Sequence, residues 1–434
     1  MLPFLSFAEG YSLKQCVEFA GKANGNIINA NLDVEIAGSK VKEQIGTMLP
    51  QVDGTVSYTD NLLLSTTLLP GELAGKPGTM VPIQFGTQHN MNGGVQLTQK
   101  LFDPSFSIAL RSSKISENQA KESLKLTKEQ SAYGISATYY QTLVIGKQLN
   151  ALRANLNSSE KLLASTELKF NAGMAKQIDI DKIRVNFNNL KSQVQQNELY
   201  YSYSVNNLKY LMGMPKESNV FLTDTVMNLT KESLESIISD FNLENRSEYQ
   251  LQKIALKAYE ADKDRNKAGY LPSLNLSANL GGMAMRKQFN FFDSNEKWYA
   301  NSSLVFSLRV PIFDGLQRQQ RIAQSNLNIQ KSKVKIDQSK QAITLDLNNV
   351  ENQYLTAVNN IQNEKGNLDL AEKVYKNTQL QYQEGAATAL ELVQSENSYN
   401  ESTNNYFAKL LNLYIARINL EQCKGNLLNY LNNK

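Results

Sequence analysis

Across 434 residues, 45 basic side chains nearly balance 41 acidic ones, and no block of like charge marks the chain as a nucleic-acid binder. No apolar run reaches 18 residues, which excludes a conventional transmembrane helix and leaves strands as the means of crossing a bilayer. Two cysteines, Cys16 and Cys423, are too few for a disulfide framework or a zinc site.

Taken in chain order, residues 1–8 are apolar and end in a small residue. They are expected to be a residual signal-peptide-like segment, with a frayed apolar terminus as the alternative. A bond between Cys16 and Cys423 is a hypothesis that an oxidising compartment would allow.

Residues 27–48 read as a helix that stops at Leu49-Pro50, because the residue before a proline leaves the helical region. Val52, Gly54, Val56 and Tyr58 then alternate with polar neighbours, the period of a strand. A connection over 61–93, rich in Gly and Pro, reads as a long exposed loop. It holds the single histidine, His89, expected to be solvated. A returning strand carries Val95, Leu97 and Leu101. After Asp103, a candidate N-cap, residues 105–214 contain no proline, so helix can run unbroken. Gly173 interrupts it, and a return helix follows.

The same series then repeats. Leu271-Pro272 lies 222 positions after Leu49-Pro50, Phe313-Asp314 lies 211 after Phe102-Asp103, and Gly385 and Gly425 lie 212 after Gly173 and Gly213. Four landmarks in one order indicate a duplication. A helix over 249–270, alternating strands from Leu274 and from Ala300, and a proline-free 312–434 complete the second copy. Phe289, Phe291, Phe292 and Trp298 in its shorter strand connection either form an interfacial girdle or pack that connection on itself.

The expected organisation is therefore 1–8, signal-like; 9–213, first repeat, with strands about 51–60 and 94–102 and helices about 104–170 and 176–212; 214–246, an insert; 247–425, second repeat, with strands about 273–281 and 299–311 and helices about 315–382 and 388–424; and 426–434, a tail. Each outgoing helix would extend ~100 Å at 1.5 Å per residue. Four strands of membrane-spanning length cannot close a barrel, and open edges in lipid leave backbone groups unpaired, so copies of the chain must combine.

This repeated order of helix, Leu-Pro, strand, loop, strand, Phe-Asp, very long helix, Gly-centred tip and return helix resembles the TolC family of outer-membrane efflux channels over essentially the whole chain. The resemblance implies a mostly α fold with membrane β-strands, assembled as a homotrimer. The trimer would form a 12-stranded β-barrel continuous with a 12-helix periplasmic α-barrel, with the 214–246 insert in an equatorial belt. It also implies an outer-membrane location with a large periplasmic extension. The function implied is a passive exit duct of a tripartite efflux pump or type I secretion system, fed by an inner-membrane transporter through a periplasmic adaptor, with outer-membrane lipid around the barrel.

Site residues follow from the same resemblance. Gly173, Met174, Gly385 and Ala386 would form adaptor-docking tips. Glu391, six past Gly385, would contribute an acidic ring at the periplasmic constriction. Tyr382, three before Gly385, would bond to Asp179, six past Gly173. Two family positions differ: Ala387 replaces an arginine and Gln394 replaces an acid, which implies a weaker lock and a single ring. Without the resemblance, Glu391 and Asp179 read as solvated carboxylates on a helix face.

No catalytic constellation, phosphate-binding loop or cofactor fingerprint is present in the sequence, so neither enzymatic activity nor a cofactor is expected. The competing function is a soluble periplasmic coiled-coil scaffold or adaptor, which would have no need of four alternating strands between its helices.

Overall fold

The structure, a computed structural model, describes residues 9–75, 77–224 and 241–433. The expected signal-like segment and residues 225–240 of the expected insert lie outside them. The helices are α1 (Leu13–Ala23), α2 (Gly25–Gly46), α3 (Pro104–Asn171), α4 (Gln177–Met212), α5 (Ser247–Ala268), α6 (Gln317–Gln383), α7 (Ala389–Cys423) and α8 (Leu427–Asn432). The strands are β1 (Glu9–Tyr11), β2 (Gln51–Asp60), β3 (Thr66–Pro70), β4 (Met80–Gln84), β5 (His89–Phe102), β6 (Val220–Leu222), β7 (Ser273–Arg286) and β8 (Tyr299–Arg309).

The duplication holds element by element. Helices α2 and α5 each have 22 residues, α3 and α6 have 68 and 67, and α4 and α7 have 36 and 35. Pro104 opens α3 at its first position, where an amide N–H would have no acceptor within the helix and the fixed φ of proline suits the turn, and Asp103 accepts from the Ser105 backbone N at 2.9 Å. Asp314 acts from further away. Gly315 and Leu316, both at φ 65°, intervene before α6, and its carboxylate accepts from the Arg318 backbone N at 3.0 Å.

Two compact units result, and they are not the two repeats. One comprises residues 36–117 and 256–331, with β2 to β5 from the first repeat and β7 and β8 from the second. The other comprises residues 1–35, 118–255 and 332–434. Each repeat thus contributes to both, because neither a lone β-hairpin nor a lone helical hairpin can bury its apolar face.

In the strand unit, β2-β5-β7-β8 form one antiparallel sheet. Its register sorts the side chains by face. Val52, Leu97, Ala278 and Leu304 lie in one row across the four strands, and the next row is Asp53, Gln96, Asn279 and Ser303. Where β5 meets β7, Gly94 pairs with Gly281. A Cβ on Gly94 would come within 2.9 Å of the Leu280 carbonyl oxygen, so the close approach requires glycine. Strands β5 and β7 extend beyond the expected 94–102 and 273–281 because their pairing continues from Gly93–Gly282 to His89–Arg286.

Three expectations for this unit change. The 61–93 connection is not all loop, since β3 and β4 pair within it from Thr66–Gln84 to Pro70–Met80. His89 is only partly solvated: it opens β5, its ring nitrogen lies 2.9 Å from the Tyr58 hydroxyl, and Asp60 lies 3.6 Å away. Of the two aromatic readings, self-packing holds for Phe291, whereas Phe289, Phe292 and Trp298 stay exposed, which leaves the girdle reading open for them. Phe291 is buried among Tyr58, Phe289 and Trp298, with ring centroids 5.4–6.4 Å apart.

The helical unit has a core of Leu13, Cys16 and Ala20 from α1, Ile135 and Tyr139 from α3, Leu208 and Met212 from α4, Tyr354 from α6 and Tyr414 from α7. Tyr140 and Tyr414 stack at 4.2 Å. The expected tail instead contains α8, whose Leu427 and Leu431 are buried in this core, an apolar pair at helical spacing. Cys16 and Cys423 are both buried and free. Their supposed bond is not formed, and Cys423 Sγ donates to Asp346 at 3.4 Å.

Candidate functional site at the helical tips

Both tips are built from the same local instructions. Gly173 and Gly385 take φ 76° and 78°, the left-handed conformation that terminates a helix at lowest cost when the residue is glycine. The Met174 amide donates to Lys169 O and the Ala386 amide to Gln381 O, each at 2.8 Å. The residues on either side match at the repeat offset too. Leu168 and Leu380, and Ile178 and Leu390, are exposed apolar residues at equivalent positions, joined by exposed Met174. Ala386 is exposed as well. The sequence reading singled out Gly173, Met174, Gly385 and Ala386 and missed the apolar collar of Leu168, Leu380, Ile178 and Leu390, which the repeat offset alone could have found.

Glu391 and Asp179 are third in α7 and α4. The Glu391 carboxylate accepts from the Thr388 backbone N at 2.7 Å and from the Thr388 hydroxyl at 2.9 Å, while Thr388 Oγ1 accepts from the Glu391 backbone N at 3.3 Å. This is a complete capping box. The Thr388 backbone N–H, and then its hydroxyl, hold the Glu391 carboxyl below the usual carboxylate range, opposite to the rise that repulsion among three copies would cause. Asp179 accepts from the Lys176 backbone N at 3.4 Å. Gln394 is exposed on α7.

Tyr382 and Asp179 are not brought together within the chain. The Tyr382 hydroxyl lies 3.2 Å from Thr166 Oγ1, and the Asp179 carboxylate folds back onto its own helix start. A residue that the sequence reading missed provides the stronger link. Lys169, in the last turn of α3, donates to Gln383 O at 3.0 Å and to Tyr382 O at 3.4 Å. Its Nζ also sits 5.3 Å from the centre of the Tyr382 ring. These are carbonyls at the end of α6, where a cation is favoured by the helix dipole. Lysine at a helix end is common, so no sequence signal distinguished this one.

Behind the tips the two hairpins share an apolar layer of Leu162, Ile183, Tyr375, Ala389 and Leu392. Beyond it lie amide pairs, Asn155 to Asn400 at 2.6 Å and Gln148 to Asn404 at 2.7 Å. Among the described residues no cluster of three His, Cys, Asp or Glu side chains could hold a metal.

Comparison with known proteins agrees with this architecture. The family described as outer membrane efflux protein matches residues 20–214 and 240–426. The proteases secretion protein PrtF of Dickeya chrysanthemi is 21% identical over 204 residues, a match spanning 46% of this chain and 43% of that relative's length. Among solved structures, the Campylobacter jejuni CmeC outer membrane channel superposes with a TM-score of 0.75 at 15% identity, covering 96% of this chain and 86% of that one. The outer membrane protein VceC of Vibrio cholerae gives 0.74 at 13% identity, covering 95% and 96%. At these identities the two structures share the fold.

Proposed function

Because the chain belongs to the outer membrane efflux protein family, we propose that it is an outer-membrane duct through which cargo leaves after an inner-membrane transporter and a periplasmic adaptor have handed it over. The family is made up of channels rather than enzymes.

One observation carries the reading. The four-stranded sheet has an apolar row and a polar row on opposite faces, and its outer strands β2 and β8 are exposed at every residue. Val52, Val56, Leu304, Phe306 and Leu308 are all more than half exposed. In water, such a sheet would leave apolar area uncovered at roughly 25 cal/mol per Å². With lipid on the apolar side and a water-filled lumen on the polar side, both faces are matched.

The free edges of β2 and β8 require strands from other copies, because unpaired backbone groups in hydrocarbon cost several kcal/mol each. Three copies supply an even, closable set of strands and bring three equivalent pairs of tips around one axis. In that assembly Glu391 would ring the periplasmic constriction, with Gln394, Asp179 and Tyr382 nearby. Gly173, Met174, Gly385 and Ala386, with their apolar collar, would meet the adaptor, and residues 214–246 would belong to the equatorial belt.

A soluble coiled-coil scaffold has no use for a two-faced sheet with bare edges. The test is fractionation followed by light scattering. The protein is expected in the membrane fraction, and as three copies after extraction in mild detergent. Recovery in the soluble fraction without detergent, or a monodisperse monomer, would overturn the proposal.

A further inference from the structure

Glu396 lies on α7, one turn beyond Leu392, and is fully buried. Its Oε2 accepts from Asn186 Nδ2 of α4 at 2.7 Å. Among the described residues its Oε1 is buried without a hydrogen-bond partner. Asn186 in turn is three residues past Ile183, so this polar pair sits directly on the apolar layer behind the tips. It joins the first helical hairpin, α3 and α4, to the second, α6 and α7.

Among the described residues the surroundings offer no counter-charge. The titratable groups facing Glu396 are Tyr375 of α6, whose phenol is pushed up to about 12 by burial and then by Glu396 itself, and Tyr399 of α7, which stacks on Tyr375 at 5.6 Å. From α4 comes the neutral Asn186, and no charged group from α3, α4, α6 or α7 acts on the carboxyl. Glu372 and Lys376 stand one step further out, against Tyr399. An ionised carboxylate with one amide donor and no cation is among the costliest groups to bury, so the packed arrangement suits the neutral acid.

We propose that Glu396 is a proton-operated switch of the contact between the two helical hairpins: protonated, it keeps α4 and α7 packed behind the tips, and ionised, it draws water into that contact and loosens the periplasmic end of the duct. The proposal rests on the channel reading above. Burial, opposed by the bond from Asn186, pushes the carboxyl up to about 7. For an acid whose packed-state value is raised, the packed form is favoured most below the ordinary carboxylate range. It loses ground as pH rises toward 7, by up to about tenfold in the packed-to-loosened ratio per pH unit. Above 7 the ratio is level. The switch therefore works in mildly acidic to neutral surroundings.

Planar-bilayer recording of the full-length protein at periplasmic pH 5.5 to 8 tests this, with Glu396→Gln as the neutral variant that keeps an acceptor for Asn186. The parent's open probability should rise about tenfold or more across that range. The variant should stay at the parent's acid value throughout. A parent that does not respond to pH, or a variant that responds as the parent does, overturns the switch while leaving the duct intact. Absence of conductance at every pH would instead count against the channel reading. In that case, or if the variant fails to assemble, hydrogen exchange of the parent over residues 392–400 decides. After correction for intrinsic exchange rates, protection that falls as pH rises toward 7 supports the switch, and constant protection overturns it.

Discussion

Asp179 and Glu391, 212 positions apart, occupy the same place in the two repeats: each is third in its helix and each turns its carboxylate back onto the backbone N–H at the helix start, of Lys176 at 3.4 Å and of Thr388 at 2.7 Å. Glu391 alone also receives a hydroxyl, from Thr388. The cap at Glu391 and its proposed pore role would thus share one side chain, and two substitutions separate them. Glu391→Gln retains the cap and removes the charge, whereas Glu391→Ala removes both. Both variants should lower cation preference severalfold and relieve divalent-cation block in planar bilayers, but only Glu391→Ala should lower the thermal midpoint. Unchanged selectivity in both would show that other residues line the constriction.

The same hydrogen bonds set a pH dependence for the cap. Because they hold the Glu391 carboxyl low, its capping contribution is complete above the ordinary carboxylate range and is lost as pH falls through the depressed value. The cation preference of the parent should therefore persist below the pH at which a free glutamate would be half protonated. Loss of preference already near neutral pH would mean that repulsion among the copies outweighs the capping bonds.

Lys169 bridges the two tips through two carbonyls and the Tyr382 ring, whereas Tyr382 contributes a single hydroxyl bond to Thr166. A hydrogen bond from a charged donor is worth about 1.5–3 kcal/mol and a neutral one about 1 kcal/mol. Lys169→Met should then raise open probability by about tenfold or more, since 1.4 kcal/mol is a tenfold change. Tyr382→Phe and Thr166→Val should raise it less, and equally. Single-channel recording checks the order, and a larger effect from Tyr382→Phe than from Lys169→Met would reverse this assignment.

At Gly385 there is open space for a Cβ, but φ is +78°, so backbone conformation rather than crowding makes the demand. Gly385→Ala should cost about 1 kcal/mol of local stability, and Gly385→Asn less, since asparagine tolerates that region. Both should assemble and export. Gly385→Trp adds a bulky group on the proposed docking surface and should abolish export while leaving the assembled protein in the membrane. Normal export by the tryptophan variant would remove the tip from the adaptor interface.

Cys16 and Cys423 are pushed up to about 12, in both cases first by burial and then by a nearby aspartate, Asp224 and Asp346. Neither should be thiolate at neutral pH. Thiol titration of the reduced or unreduced protein should find two reactive groups in denaturant and almost none in the native state. A count that rises on reduction would restore the disulfide.

Much of the fold was legible without coordinates because its punctuation is local. A proline at 50 or 272 ends a helix through its own ring, and glycines at 173 and 385 end one through their own φ. The paired landmarks at fixed offsets could therefore be read directly, and the helices between them lie where proline is absent. The site was legible to the level of its backbone, namely the two tips and the third-position acids. Which side chains cross between hairpins was not: Tyr382 was expected on Asp179 and meets Thr166 instead.

Sequence by itself determined the duplication, the positions of the helix breaks and the alternation of the strands, since each depends on residues near one another in the chain. Only the tertiary structure decided that the units mix the repeats, that α8 is buried, that His89 has partners and that Lys169 closes the end of α6. Only it singled out Glu396 among the many glutamates on long polar helices. Those outcomes depend on which faces meet and how much water is excluded between them. An i, i+3 or i, i+4 pattern says that a helix has a face, but burial, and with it the cost of a charge, belongs to the pair of surfaces in contact.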